Sequence, residues 1–122
     1  MILTDLAILK AMEEGDILVE PYNRDCLGTN SYDVHLSKYL ACYIDDVIDA
    51  KKHNQVEHFE IADDGIVLQP GKTYLGSTLE YTETRSFVPF IEGKSSVGRL
   101  GNEIHATAGR GGVGGCYRWT LE

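Results

Sequence analysis

The stretch IVLQPGKTYLGSTLEYTE, residues 66–83, decides how the chain reads. Val, Ile, Leu, Tyr and Thr crowd both sides of Pro70-Gly71, a dipeptide that turns the chain and cannot continue a helix. The spacing predicts two strands hinged at that turn. Working outward, FVPFIEG (87–93) reads as another strand, and EIHATAG and YRWTLE read as strands around the Gly-rich GRGGVGG. SSVGRLG (95–101) can make one helical turn, and its glycines forbid much more. Toward the N-terminus, NSYDVHLSKYLACYI favours strand, and DILVEPY is a short strand ended by Pro21. TDLAILKAMEEG reads as a short amphipathic helix, with Thr4 as N-cap, Leu6, Ile8, Leu9 and Met12 as its apolar side, and Gly15 as its stop. Residues 44–65 are strongly acidic and read as a loop or excursion. Many short strands with one leading helix give a mainly β fold, a barrel or jelly-roll-like pair of sheets, in a single domain over residues 1–122.

The 122 residues carry a formal charge of −8, which argues against broad DNA or RNA binding. The charge is uneven. Residues 1–93 hold 7 basic and 17 acidic side chains, while residues 94–122 hold Lys94, Arg99, Arg110 and Arg118 against Glu103 and Glu122. A basic, Gly-rich end on an acidic protein suggests a local anion site. No apolar run approaches the ~18 residues of a membrane span, and the N-terminus lacks the basic start and apolar centre of a secretory signal. Cys26, Cys42 and Cys116 are odd in number and widely spaced, so neither a zinc cluster nor a disulfide framework is expected, and a reducing cytoplasm is.

Two phosphate-loop patterns fail in residues 93–101, GKSSVGRLG. A P-loop needs glycine at Val88, and G-x-G-x-x-G needs glycine at Ser95. Neither H-x-E…P-C-x-x-C nor H-E-x-x-H occurs, so hydrolysis here would proceed without a protein-bound zinc. His35, His53 and His58 are isolated; His105 sits in a strand-like stretch nearer the Gly-rich end.

EGKSSVGRLGNEIHATAG followed by WTLE resembles the dCTP deaminase family, relatives of the dUTP diphosphatases. NSYDVHL is similar to that family's early strand and LQPGKTYLGSTLEY to its turn and following strand. ILTDLAILKAMEEGDILVEPY is similar to its opening helix and strand. The resemblance implies a distorted jelly-roll of dUTP diphosphatase type that assembles as a homotrimer. It implies hydrolytic deamination of dCTP to dUTP and ammonia.

Site roles follow from the same resemblance. Residues 94–99 would bind the triphosphate and line the base pocket. Lys94 and Arg99 would supply charge, Ser95 and Ser96 hydroxyls, and the Gly98 and Gly101 region close backbone approach, with Val97 among the substrate-binding residues. Ala106, Thr107 and Ala108 would read the cytosine edge. Thr120 and Leu121 lead to Glu122, the match to the family's catalytic glutamate, with Ser95 and Arg99 at positions that stabilise developing charge. Mg²⁺ would arrive on the nucleotide. Two departures stand out. Gly112 occupies the position of the family's Asp, which holds the sugar 3′-hydroxyl and corresponds to the diphosphatase base; Gly115 occupies that of an aromatic residue. The family also continues past this glutamate with further strands and a tail. The alternatives are a dUTP diphosphatase or bifunctional enzyme releasing dUMP, against which Gly112 speaks, and a catalytically impaired relative that binds nucleotides or partners.

Overall fold

The computed structural model describes residues 1–104 and 109–121. The helix α1 (Asp5–Glu13) begins where the sequence indicates: Thr4 is extended and its hydroxyl accepts the Ala7 N–H at 3.4 Å. Asp5 sits in the first turn, where the partial positive charge of the helix end favours it. Gly15, at φ +76°, ends the helix in the left-handed region that glycine enters without strain. The helix buries Ala11 and leaves Leu6 73% exposed, so the packed stripe is narrower than the apolar spacing suggests.

Among the described residues, seven strands form two open antiparallel sheets, with no closed barrel. β1 (Ile17–Glu20), β5 (Tyr81–Thr84) and β6 (Cys116–Tyr117) make one, in the order β1-β5-β6. β2 (Leu36–Tyr43), β3 (Val56–Glu60), β4 (Leu75–Thr78) and β7 (Thr120–Leu121) make the other, in the order β3-β2-β4-β7. β2 is central. Its consecutive residues Leu40, Ala41 and Cys42 are all buried, and since neighbours on a strand point to opposite faces, both faces are covered there. Gly76 of β4 lets β2 pack close: a Cβ there would lie 2.9 Å from Leu36 Cδ1 and 3.0 Å from Leu40 Cδ2.

Several sequence expectations change. The excursion at 44–65 contains β3, which pairs with β2 from Tyr39↔Glu60 to Tyr43↔Val56. Of its seven acidic residues only Glu57 and Glu60 stand on β3, both exposed; Asp45, Asp46, Asp49, Asp63 and Asp64 lie in the connections on either side, so the strand is hidden between stretches whose charge does belong to loops. A turn does form at Pro70-Gly71, with Gly71 at φ +76°, but residues 66–69 are not a strand. The two strands of this stretch are β4 and β5, divided at Leu79–Glu80, and they lie in different sheets. Residues 87–93 contribute a single bridge, Phe90↔Arg110, instead of a strand. YRWTLE divides into β6 and β7, again one to each sheet. The strand expected at EIHATAG falls mostly on residues outside those described.

The chain thus passes between the sheets three times, over residues 21–35, at 79–80 and at 118–119, and the two short crossings are tied together. Thr78, fully buried, donates its N–H to Trp119 O at 2.9 Å and accepts the Trp119 N–H on Oγ1 at 3.0 Å. The same hydroxyl donates to Glu80 O at 2.9 Å, and Arg118 Nη1 donates to Leu79 O at 2.7 Å. Glu80 turns its carboxylate inward. It accepts the His35 N–H at 2.8 Å and the His35 ring Nδ1–H at 2.6 Å, with 3% of its side chain exposed against 57% for His35. A buried carboxylate is tolerated only when its oxygens are paired, and here both are.

Candidate nucleotide site

Residues 93–101 form one helical turn held between extended entry and glycine exit. Lys94 is extended (φ −73°, ψ 132°), α2 (Ser95–Gly98) follows, and Gly101 at φ +80° turns the chain out. Arg99 N–H donates to Ser95 O at 3.1 Å and closes the turn. The result is a compact polar display: Lys94, Ser95, Ser96 and Arg99 are all exposed, and Val97 alone turns partly inward. Gly98 and Gly101 line an open recess of about 360 Å³ with Asn102 and Glu103.

Lys94 is not solitary. Its ammonium pairs with the Asp33 carboxylate, joining this turn to the segment that leads into β2. The four cations of residues 94–122 do not gather into one cluster. Arg110 lies over the Phe90 ring at 5.2 Å, and Arg118 is spent on Leu79 O. Arg99 makes no ion pair among the described residues.

The Gly-rich loop adjoins the strand-like entry to α2. Ile91 N–H donates to Gly109 O at 2.8 Å, and Gly111 N–H donates to Pro89 O at 2.9 Å. Gly93 approaches the 104 backbone so closely that a Cβ would lie 3.3 Å from Ile104 O. Gly112 is exposed, and both its N–H and its C=O are bonded to the Tyr117 hydroxyl. Thr120 and Leu121 stand on β7, opposite Ser77 and Gly76. No hydrogen bond or ion pair among the described residues joins them to Lys94, Ser95, Ser96 or Arg99. Ala106, Thr107, Ala108, His105 and Glu122 lie outside the described residues.

Sequence reasoning passes over three participants. Asp33 carries a weak signal, the exposed positions alternating through SYDVH, but nothing in the sequence names Lys94 as its partner. Tyr117 reads only as a strand residue. Glu80 looks like any surface acid. Tyr81, beside Cys116 and Glu83, has its phenol pushed up to about 12, first by the hydrogen-bonding Cys116 sulfur and then by burial. Among the described residues, no group of three or more His, Cys, Asp or Glu side chains gathers as a metal cage. No helix in them is long and apolar enough to cross a membrane.

Comparison with known proteins bears on the same segments. The profile of a family described as dCTP deaminase-like matches residues 2–122. A "dCTP deaminase, dUMP-forming" of Clostridium acetobutylicum is 51% identical over 107 residues, covering 88% of this chain and 62% of that protein. Enzymes with the same description from Leptospira biflexa and Cytophaga hutchinsonii are 48% and 47% identical over 122 residues, all of this chain and 70% of each relative. The chain therefore spans 62–70% of the length of these relatives. With the two antiparallel sheets, the short leading helix and a match that runs from residue 2 through the one-turn polar segment to the end of the sequence, the chain belongs to the dCTP deaminase-like family.

Proposed function

We propose that the chain acts on dCTP by hydrolytic deamination, giving dUTP and ammonia. The observation that carries this reading is the turn at residues 94–99, which presents two hydroxyls and two cations together on the surface of an otherwise acidic protein. Charge-assisted hydrogen bonds to phosphate are about twice as strong as neutral ones, so such a turn suits a triphosphate. The names of the relatives support the choice of nucleotide.

In this reading, water adds to C4 of the cytosine and the exocyclic amine leaves as ammonia. Glu122 takes the proton of the attacking water and returns it to the departing amine, a task worth ~10²–10⁴-fold in rate. Ser95 and Arg99 face the charge that develops on the ring and the attacking oxygen. Ala106 to Ala108 read the base edge, and Thr120 and Leu121 place Glu122 from β7. Lys94 leaves Asp33 for the phosphates. Mg²⁺ would neutralise part of the triphosphate charge, arriving with the nucleotide. No zinc enters this reading, and its setting is the cytoplasm.

A second reading carries the reaction on to dUMP and diphosphate. The description "dUMP-forming" on the relatives favours it, while glycine at 112 leaves that position without a carboxylate to activate the second water. A homotrimer belongs to the same reading, because the resemblance implies active sites shared between subunits.

Purified protein incubated with dCTP or dUTP and Mg²⁺, with ammonia, dUTP and dUMP followed separately, tests these readings. Ammonia with dUTP supports deamination alone, and ammonia with dUMP supports the bifunctional reading. dUMP from dUTP without ammonia from dCTP indicates a diphosphatase. Nucleotide binding without any product overturns the enzymatic assignment.

A further inference from the structure

Residues 109–115 contain five glycines, with only Arg110 and Val113 carrying side chains. Glycine loses more backbone freedom on ordering than any other residue, so a loop of this composition keeps one shape only if something outside it imposes that shape. Backbone bonds hold its two ends, Ile91 N–H to Gly109 O, Gly111 N–H to Pro89 O and Thr84 N–H to Gly115 O, and one side chain holds its middle. Tyr117, delivered from β6, reaches back over the loop. Its hydroxyl accepts the Gly112 N–H at 2.5 Å and donates to Gly112 O at 2.9 Å, satisfying both backbone groups of one residue.

The ring fills the space beneath. A Cβ on Gly111 would lie 2.8 Å from Tyr117 Cζ, and a Cβ on Gly115 would overlap the ring outright. Glycine at 111 and 115 and tyrosine at 117 are therefore one steric unit. The ring is itself held, stacked on Trp119 at 4.8 Å between centroids and 26° between planes. Trp119 is anchored by Thr78 and by its Nε1–H donating to Thr82 Oγ1 at 3.1 Å. A continuous chain of contacts thus runs from the buried crossing between the sheets, through Trp119 and Tyr117, to Gly112. It ends beside the segment that enters α2, because Gly111 is bonded to Pro89.

We propose that Tyr117 is a positioning residue for nucleotide recognition: its ring and hydroxyl supply, from two residues downstream of Gly115, the side-chain support that Gly112 and Gly115 lack. The proposal rests on the proposed nucleotide reading, with Gly112 at the position that the resemblance sets beside the sugar. It makes a demand that mere stability does not. An aromatic ring attached at 115 would occupy the volume that the Tyr117 ring now fills, so the two positions should exchange the ring between them.

Trp119 is the only tryptophan, so its emission reports the neighbouring ring directly. The test compares the parent protein with Tyr117→Phe, Tyr117→Ala, Gly115→Phe and the double variant Gly115→Phe/Tyr117→Ala. Each is followed by Trp119 fluorescence, thermal melting and calorimetric binding of Mg²⁺·dCTP. Tyr117→Phe keeps the stack, so emission and melting should change little while dCTP affinity falls ~10-fold with the two lost hydrogen bonds. Tyr117→Ala and Gly115→Phe should each shift the emission and weaken binding, and the double variant should return both toward the parent. Unchanged affinity in Tyr117→Phe, or a double variant whose defects are the sum of the single ones, overturns the proposal. If the parent binds no dCTP, the nucleotide reading of the loop fails instead. Emission then still decides the steric half: recovery in the double variant upholds the exchange of the ring, and its absence refutes it.

Discussion

Removing His35 tests the buried carboxylate at the sheet crossing most sharply. By exposure alone His35→Ala should be nearly silent, because the side chain is 57% exposed and surface substitutions fall within about ±0.5 kcal/mol. The structure indicates more. Glu80 is 3% exposed, and the imidazole holds Oε1 at 2.6 Å. Without the ring, Oε2 keeps the His35 N–H, but Oε1 becomes a charged acceptor with no protein partner. Stranding a buried polar partner costs ~1–3 kcal/mol, and stranding a buried charge ~3–5 kcal/mol. The ring lies at the surface and its loss admits water, which favours the lower range. About 2 kcal/mol is the expected cost, or a fall in Tm of ~6–10 °C for a domain of this size. Replacing the carboxylate by an amide should then help: Glu80→Gln added to His35→Ala should regain ~1 kcal/mol, because a neutral amide is cheaper to leave half-paired. Urea and thermal denaturation of the four proteins of this cycle provide the measurement. The reasoning is refuted if His35→Ala costs under 0.5 kcal/mol, or if Glu80→Gln destabilises the His35→Ala background further.

Three other outcomes are expected. Gly112 does not sit at positive φ, and a Cβ there meets only Tyr117 Oη at 3.5 Å, so Gly112→Asp fits without backbone strain. It should tighten dCTP binding ~10–100-fold through a bond to the sugar hydroxyl, and calorimetry with the 2′,3′-dideoxy analogue should show no gain. Glu122→Gln should abolish ammonia release while leaving dCTP affinity near that of the parent; near-normal turnover would place the base elsewhere. Tyr81 prefers its neutral phenol in the fold, with a pKa of about 12 against the ordinary 10.0, so its contribution is complete below pH ~10 and is lost as pH rises toward 12. Urea midpoints should fall across that window, and less steeply in Tyr81→Phe.

What was legible in the sequence is what local chemistry decides. Thr4 caps α1 and Gly15 ends it because a hydroxyl acceptor and a positive φ are requirements of single residues. β1 ends at Glu20, immediately before Pro21, and residues 95–98 make one turn between glycines, for equally local reasons. The mainly β character follows from side-chain shape, and the polar turn was visible as a cluster of residue types. Alternation along a strand, however, tells which face is buried and not which strand lies alongside. So β3 was hidden within an acidic run, and LGSTLEYTE gave no sign that it leaves one sheet at Thr78 and enters another at Tyr81. Asp33 and Lys94 are 61 residues apart, and Glu80 and His35 are 45 apart. Tyr117 reaches Gly112 only because β6 pairs with β5 and Trp119 is fixed at the crossing. These partners are chosen by long-range packing, where a buried group must find whatever donor the assembled sheets bring within reach, and only the tertiary structure makes that choice.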